Sequence, residues 1–243
     1  MPTLTIDSKP GSFQTPILIP EASKLPAAAL ILFPAIAGVN DYVLRRAQQL
    51  QGAGYVVLVL DYYAREGHPP DVSTPEKIGA AVEALSDVRV LSDAADTVAA
   101  LKRTASIDPD RIGTLGFCIG GTYAMLAGCE SLGLRASVNY YGAIRYRRPS
   151  ATKPHSPIER LGTLACPLLG HFGTFDRLIS LEDCDALERA LQGYAKPYEL
   201  FRYRGAPHAF DEDFRPVVYR PAAAHAAWQH TMVFLEWYLR QKT

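Results

Sequence analysis

The chain has 243 residues, and 25 lysine and arginine residues balance 25 aspartate and glutamate residues. This length fits one α/β domain with a substantial buried core. The balanced charge gives no support to a nucleic-acid partner, and no apolar run is long enough for a membrane-spanning helix. Residues 1–20 lack a signal-peptide pattern, and four cysteines without metal-like spacing are too few for a disulfide framework. These features predict a reduced, cytoplasmic protein without a metal site.

Apolar runs bounded by turn residues predict strands, and apolar residues at helical spacing predict helices. In chain order the predicted strands cover residues 4–6, 16–19, 28–33, 55–60, 111–117, 136–141, 168–173 and 198–203. The predicted helices cover residues 41–52, 76–85, 92–104, 181–191 and 220–240, and a further one starts near 119. We expect Ser92 to cap the helix at 92–104. The apolar stripe expected for the last helix consists of Trp228, Val233, Phe234 and Trp237.

The alternation of strands and helices defines the expected fold class. It predicts an α/β protein with a mostly parallel central sheet and helices on both faces. One domain over residues 1–243 is sufficient. The arginine- and proline-rich segment at about 145–161 is the expected place of a loop insertion or lid.

A glycine-flanked turn with a cysteine at its apex follows the predicted strand at 111–117. The residues Gly116-Phe117-Cys118-Ile119-Gly120 match the Gly-x-Ser-x-Gly nucleophile elbow, with sulfur in place of oxygen. The strained turn brings the residues two before and two after the apex close together, so neither has room for a Cβ. The apex also lies at the start of a helix, where the helix dipole favours a thiolate. The sequence therefore predicts Cys118 as a nucleophile.

An acid and a histidine follow the elbow in the chain order that this motif requires. Asp176 comes just after the predicted strand at 168–173, and His208 lies on the loop after the next strand. Functional side chains of a parallel sheet converge at the carboxyl ends of its strands. We therefore predict that Cys118 attacks a carbonyl, that His208 carries the proton, and that Asp176 orients the imidazole.

Each of these three residues also has a structural interpretation. Cys118 is then a small packed hydrophobe, Asp176 a turn or helix-cap residue, and His208 a loop histidine. Asp183 and Asp185, on the following helix, are alternative acids.

Hydrolysis at an acyl carbon needs two N–H donors for the oxyanion of the tetrahedral intermediate. We expect one from Ile119, directly after the nucleophile, and one from the loop after the strand at 28–33. In that loop Pro34 has no N–H, so Ile36 is the expected second donor and Ala35 the alternative.

With these motifs the chain resembles the dienelactone hydrolase (carboxymethylenebutenolidase) family of the α/β-hydrolase superfamily. The matching stretches lie between residues 28 and 240, at 36–40, 54–65, 116–121, 140–142, 176 and 205–210. The elbow with cysteine is specific to this family among α/β-hydrolases, which mostly use serine. The resemblance implies an α/β-hydrolase fold and a cofactor-free hydrolase of esters or lactones that forms an acyl-enzyme on cysteine.

Three positions depart from the pattern of that family. The loop glutamate that helps to generate the thiolate in the family is Ala35 here. One substrate-binding arginine is replaced by the acidic run at 211–213, and the position of the other offers Glu76 and Lys77. An acidic rim repels an anionic substrate, so we expect neutral or cationic esters rather than the dienelactone carboxylate. The candidate substrate-binding residues are Ala35, Tyr141, Arg145, Phe210 and Glu212.

Three hypotheses about function follow from the sequence. The first is cysteine-dependent hydrolysis of an ester or lactone through an acyl-enzyme. The second is an altered reaction on the same scaffold, such as acyl transfer, cyclisation or isomerisation, and the third is a non-catalytic ligand-binding homologue. The expected partner is a small-molecule ester or lactone, with no nucleic acid and no membrane, and the expected assembly is a monomer or a homodimer.

Overall fold

The computed structural model describes residues 1–9 and 11–240, and its centre is an eight-stranded sheet in the order β1-β2-β4-β3-β5-β6-β7-β8. From β4 to β8 all neighbouring strands are parallel, whereas β1 and β2 pair antiparallel with their neighbours. The predicted mostly parallel sheet is therefore confirmed. The strands are β1 (Thr3–Ile6), β2 (Phe13–Leu18), β3 (Ala27–Phe33), β4 (Val56–Val59), β5 (Ile107–Phe117), β6 (Ala136–Tyr140), β7 (Leu168–Gly173) and β8 (Tyr198–Tyr203).

Helices pack on both faces of this sheet. Every residue of β3 is buried, and successive side chains point to opposite faces, so Ile31 and Leu32 enter two different hydrophobic cores. Helices α3, α4 and α5 cover one core, and α1 and α6 cover the other. The helices are α1 (Asp41–Gly52), α2 (Pro75–Ala84), α3 (Asp87–Lys102), α4 (Ile119–Gly128), α5 (Leu181–Gly193) and α6 (Pro221–Leu235), with 3₁₀ turns at Ala22–Lys24 and Pro157–Thr163 and a π-helical turn at Glu236–Arg240.

The predicted start of the third helix is wrong by about one and a half turns. Helix α3 begins at Asp87, and the side chain of Ser86 caps it by accepting a hydrogen bond from the N–H of Arg89. Ser92 therefore lies inside the helix. The added first turn buries Val90 against the core, which the predicted start at residue 92 leaves outside the helix.

The predicted apolar stripe of the last helix is wrong at two positions. Val233 is 70% exposed and Trp237 is 60% exposed, whereas Phe234 is buried. The buried face of α6 instead begins with Ala224 and Ala227, because small side chains let the helix lie close to the sheet. No helix in the described part of the chain has the length and hydropathy needed to span a membrane.

The segment at 145–161 runs from the end of β6 into the 3₁₀ turn at Pro157–Thr163. Its Lys153 is only 3% exposed, so this part of the segment is anchored in the protein. The function of the segment as an insertion or lid stays a prediction. The loops after β3, β5, β7 and β8 leave the same edge of the sheet, and they carry the candidate site.

Candidate active site

The turn between β5 and α4 consists of a single residue, Cys118. Its backbone has φ 54° and ψ −125°, a left-handed conformation that costs energy in any residue other than glycine. A Cβ at Gly116 would lie 2.0 Å from the carbonyl oxygen of Gly120, and a Cβ at Gly120 would lie 2.1 Å from that of Phe33. Close backbone contacts therefore require glycine at both positions, as the elbow motif predicts.

The three side chains predicted as catalytic contact one another in a row. Sγ of Cys118 lies 3.2 Å from Nε2 of His208, and Nδ1 of His208 donates a hydrogen bond to Oδ2 of Asp176 over 2.8 Å. The three residues follow β5, β8 and β7 respectively, so the carboxyl ends of three parallel strands, with β6 between β5 and β7, bring them together. This order of thiol, imidazole and carboxylate is the one that nucleophilic acyl transfer needs.

The carboxylate of Asp176 is held by two further hydrogen bonds. Its Oδ1 accepts the N–H of Leu178 over 2.7 Å and the N–H of Ile179 over 3.1 Å. The Asp176 side chain has no exposed surface, whereas the His208 side chain is 19% exposed. Oδ2 of Asp176 is therefore left to bind the imidazole. Of these two side chains, only that of His208 is accessible to solvent.

The alternative acids and the second histidine near this edge have other partners. Asp183 belongs to the capping box of α5, where its N–H donates to the Ser180 hydroxyl over 3.1 Å and its carboxylate accepts the Ser180 N–H over 3.3 Å, and Asp185 pairs with Arg202. His171 is buried on β7 between a phenol and a threonine hydroxyl, and burial lowers its pKa. None of these contacts involves Cys118, His208 or Asp176.

The charge state of His208 depends on its two partners. Burial by itself lowers the pKa of His208, but the adjacent Cys118 and the hydrogen bond to Asp176 act in the opposite direction and raise the pKa to about 10. An imidazole with such a pKa is protonated at neutral pH. The geometry thus favours an imidazolium flanked by two groups able to carry negative charge.

The loop after β3 lies against the first turn of α4. The carbonyl oxygen of Pro34 would be 2.4 Å from a Cβ at Gly120, so this glycine lets the two backbones meet. Within residues 1–9 and 11–240, neither the N–H of Ile36 nor the N–H of Ile119 donates a hydrogen bond. Two unused donors therefore lie on backbone segments that touch each other beside the thiol.

Two more residues at the site have left-handed backbones that no sequence pattern indicates. Tyr141, with φ 41°, follows β6, and Ala209, with φ 60°, follows His208. The rings of Tyr141 and His208 meet edge to face with 5.1 Å between centroids. Strained residues other than glycine cluster at functional sites, and neither Tyr nor Ala signals a positive φ from its identity.

The expectation of an acidic rim after His208 is wrong, first of all for Asp211. Asp211 has no exposed surface, accepts a hydrogen bond from the hydroxyl of Tyr42, and lies 2.7 Å from the guanidinium of Arg46. Tyr42 and Arg46 both belong to α1. The buried Asp211 carboxylate therefore links the loop that carries His208 to α1, the helix that follows the loop after β3.

The other two acidic residues of the run also have arginine partners. Glu212 lies 2.8 Å from Arg215, and Asp213 lies 2.7 Å from Arg45. Only 8% of the Glu212 side chain is exposed. The run at 211–213 is thus neutralised by arginines, two of which lie far away in the sequence.

The remaining candidate substrate-binding residues differ in their burial and in their contacts. Ala35 is half-buried in the loop after β3. Tyr141 and Phe210 are fully buried, with ring centroids 5.4 Å apart, so they shape the wall behind His208. Arg145 is half-exposed and lies 3.7 Å from Asp183 at the start of α5.

A cleft of about 550 Å³ is lined in part by Val39 and Tyr63. Its lining is polar and includes Ser12, Gln14 and Asp61, but not Cys118. The contacts of the reactive groups, rather than the size of a cavity, therefore locate the candidate site. Within the described ranges no cluster of His, Cys, Asp or Glu side chains is able to hold a metal ion.

Comparison with known proteins identifies the family that the chain is similar to. The model of the dienelactone hydrolase family matches residues 13–239. A Bradyrhizobium protein named "Probable 2-oxo-3-(5-oxofuran-2-ylidene)propanoate lactonase" is 42% identical over 87% of this chain and 84% of its own length. A "Putative carboxymethylenebutenolidase" of Escherichia coli is 31% identical over 90% of this chain and 79% of its own length.

The same relationship is visible in the fold. The crystal structure of a "Putative Dienelactone Hydrolase" from Klebsiella pneumoniae superposes with a TM-score of 0.90 and 25% sequence identity, and the match covers 98% of both chains. The fold is therefore that of the α/β-hydrolases, as the sequence predicts.

Proposed function

The chain belongs to the dienelactone hydrolase family, a family of lactone and ester hydrolases, and from this premise we propose that it acts through a covalent acyl intermediate on Cys118. The observation that carries the proposal is the contact of Cys118 with His208 at 3.2 Å and of His208 with Asp176 at 2.8 Å. A pure binding protein has no need of such a row. A cysteine thiol beside an oriented imidazole is an activated nucleophile.

The proposed reaction has two halves. In the first, the Cys118 thiolate forms a bond to the carbonyl carbon, the carbonyl π pair moves to oxygen, and the tetrahedral intermediate collapses. The carbon–oxygen bond of the ester or lactone then breaks, and the leaving oxygen takes a proton from Nε2 of His208. In the second half, a water gives its proton to His208 and attacks the thioester, and Cys118 leaves again as thiolate.

The resting enzyme is proposed to hold a thiolate–imidazolium pair. With Ala35 in place of the loop glutamate of the family, no carboxylate in that loop can take a proton from the thiol. The pKa of His208, raised to about 10, is consistent with a proton held on the imidazole at neutral pH. The start of α4, next to Cys118, adds a dipole that favours the thiolate.

A lactone is the proposed substrate, and the charge of the run at 211–213 gives no reason to exclude an anionic one. The preference for neutral or cationic esters depended on an exposed acidic rim, whereas Glu212 and Asp213 are paired with arginines. The name of the Bradyrhizobium relative specifies a lactone with a propanoate group, which is an anionic substrate. Comparing kcat/KM for a lactone carboxylate and for its methyl ester decides between the two charge types.

The experiment that tests the nucleophile is acylation by p-nitrophenyl acetate. We expect wild type to release p-nitrophenolate and to carry an acetyl group on the peptide that contains Cys118, seen by mass spectrometry. Cys118→Ala should lose both signals, whereas Cys129→Ala, which changes a buried cysteine in the same protein, should keep both. Full turnover by a folded Cys118→Ala protein would show that another group does the chemistry.

A further inference from the structure

Two adjacent tyrosines on the loop after β4 hold the backbone that carries the expected oxyanion donor. The hydroxyl of Tyr62 donates to the carbonyl of Pro34 over 3.0 Å, and the hydroxyl of Tyr63 donates to the carbonyl of Ile36 over 3.0 Å. These two carbonyls lie directly before and directly after the peptide unit that joins Ala35 to Ile36. The peptide unit that contains the N–H of Ile36 is thus held by a side-chain hydrogen bond on each side.

The peptide unit between the two tyrosine contacts is itself fixed. The carbonyl of Ala35 accepts the N–H of Gly38 over 2.9 Å. In a trans peptide the N–H points opposite to the carbonyl, so the N–H of Ile36 is directed away from that turn. The carbonyls of Pro34, Ala35 and Ile36 therefore each accept a hydrogen bond. Rotation of the peptide unit that carries the Ile36 N–H requires breaking at least one of these bonds.

The tyrosines are in turn held by their own surroundings. Arg89 on α3 donates to the carbonyl of Tyr62, and the Tyr62 ring lies edge to face on Tyr123 of α4, with 5.8 Å between centroids. The ring of Tyr63 packs on Gly38, where a Cβ would lie 3.0 Å from it. Burial raises the pKa of both phenols, so both keep the protons that they donate.

We propose that Tyr62 and Tyr63 are positioning residues for the oxyanion hole, which aim the Ile36 N–H at the carbonyl oxygen of the acylating substrate. The proposal rests on the proposed function. Negative charge appears on that oxygen only when the bond from Sγ to the carbonyl carbon has formed. A misdirected N–H therefore weakens acylation and leaves the reactivity of the thiol itself unchanged.

Comparing two reactions of the same sulfur tests this proposal. Acylation of Cys118 by p-nitrophenyl acetate passes through an oxyanion, whereas alkylation by iodoacetamide displaces iodide at a saturated carbon and forms none. Both second-order rate constants are measured on one sample, so their ratio does not depend on the folded fraction. Tyr62→Phe and Tyr63→Phe remove one hydroxyl each. Tyr198→Phe is the control, because its hydroxyl contacts Glu188 and Gln192 at the opposite edge of the sheet.

We expect each single variant to lower the acylation rate constant by about 10- to 100-fold, somewhat less than the loss of a whole oxyanion donor. Alkylation should change by less than about threefold, and the Tyr198→Phe control should keep the wild-type ratio. An unchanged ratio in both Tyr62→Phe and Tyr63→Phe, or an equal fall in both rate constants, would overturn the positioning role alone. A wild type that is not acylated at Cys118 would overturn the proposed function together with it.

Discussion

Lys153 is the buried cation whose removal should cost the most stability. Its side chain is 4% exposed, and that of its partner Asp87 is 8% exposed. Nζ donates to the carbonyl of Leu85 over 2.6 Å, and it lies 3.2 Å both from the Asp87 carboxylate and from the hydroxyl of Tyr123. Lys153→Met would leave that carboxylate buried without its compensating charge.

The expected loss follows from the burial of the pair. Removing one partner of a buried ion pair lowers the free energy of unfolding by about 3–5 kcal/mol. In a protein of this size each kcal/mol corresponds to about 2–4 °C, so the melting temperature should fall by about 6–20 °C. Thermal unfolding followed by circular dichroism measures this change, and urea unfolding gives the free energy.

The chain offers a matched control in Lys77→Met. Lys77 lies 2.6 Å from Asp71, but the side chains are 50% and 60% exposed, so water screens the pair and the same substitution should change the stability little. The double variant Lys153→Met/Asp87→Asn should regain most of the loss, because no uncompensated charge remains. Equal small losses at Lys153 and Lys77, or strict additivity in the double variant, would refute this reasoning.

Three further outcomes are expected. Gly120→Ala should unfold or severely destabilise the protein, because its Cβ would lie 2.1 Å from a backbone oxygen, whereas Gly79→Ala meets nothing within 4 Å and should be neutral or stabilising in urea unfolding. Alkylation of Cys118 by iodoacetamide should already be fast at neutral pH, because the proposed resting state holds a proton on His208, whose pKa is raised to about 10; reactivity that rises only toward pH 8.5, as for an ordinary thiol, would contradict the ion pair. Burial raises the pKa of Asp211 to about 6, so the folded state binds the extra proton and this group's contribution to stability falls as pH rises from about 4 to 6. Relative to Asp211→Asn, wild type should lose about 3 kcal/mol of unfolding free energy over that range, and parallel curves for the two proteins would exclude the shift.

The elbow and the three reactive side chains could be predicted because they follow a sequence motif and a chain order. Gly116 is required by its contact with Gly120 four residues later, Gly120 by its contact with the carbonyl of Phe33 on β3, and strand ends can be read from apolar runs. The positions of Asp176 and His208 then follow from the chain order of the strands. Parallel pairing does the rest, since it brings the ends of β5, β7 and β8 to one edge.

The charge environment of the site could not be predicted, because it depends on contacts distant in sequence. The partners of Asp211 and Asp213 lie on α1, more than 160 positions earlier in the chain. The sequence therefore suggested an acidic rim where the folded protein has ion pairs. The phenols of Tyr62 and Tyr63 escaped notice for a similar reason, because their acceptors are backbone carbonyls, which have no signature in a sequence.

The errors on the helices have a more ordinary cause. Two serines, Ser86 and Ser92, each precede residues with helical periodicity, and only packing distinguishes them. At the C-terminal end of the fold the largest apolar residues were predicted to be buried, yet Trp237 in the π-helical turn is exposed and Ala227 on α6 is buried. Residue size is a poor guide where a helix lies close to a sheet.

The distribution of the four cysteines gives this protein a built-in chemical reporter. Cys129, Cys166 and Cys184 are buried, and burial raises the pKa of each to about 12, so they stay protonated and shielded in the native state. Cys118 is the partly accessible one. A thiol reagent should therefore titrate native protein with one equivalent per chain, which counts functional sites without any substrate. Slower labelling of the other three cysteines would measure the rate at which the hydrophobic core around α4, β7 and α5 opens. The fast phase thus reports the state of the site, and the slow phase reports local unfolding of the core.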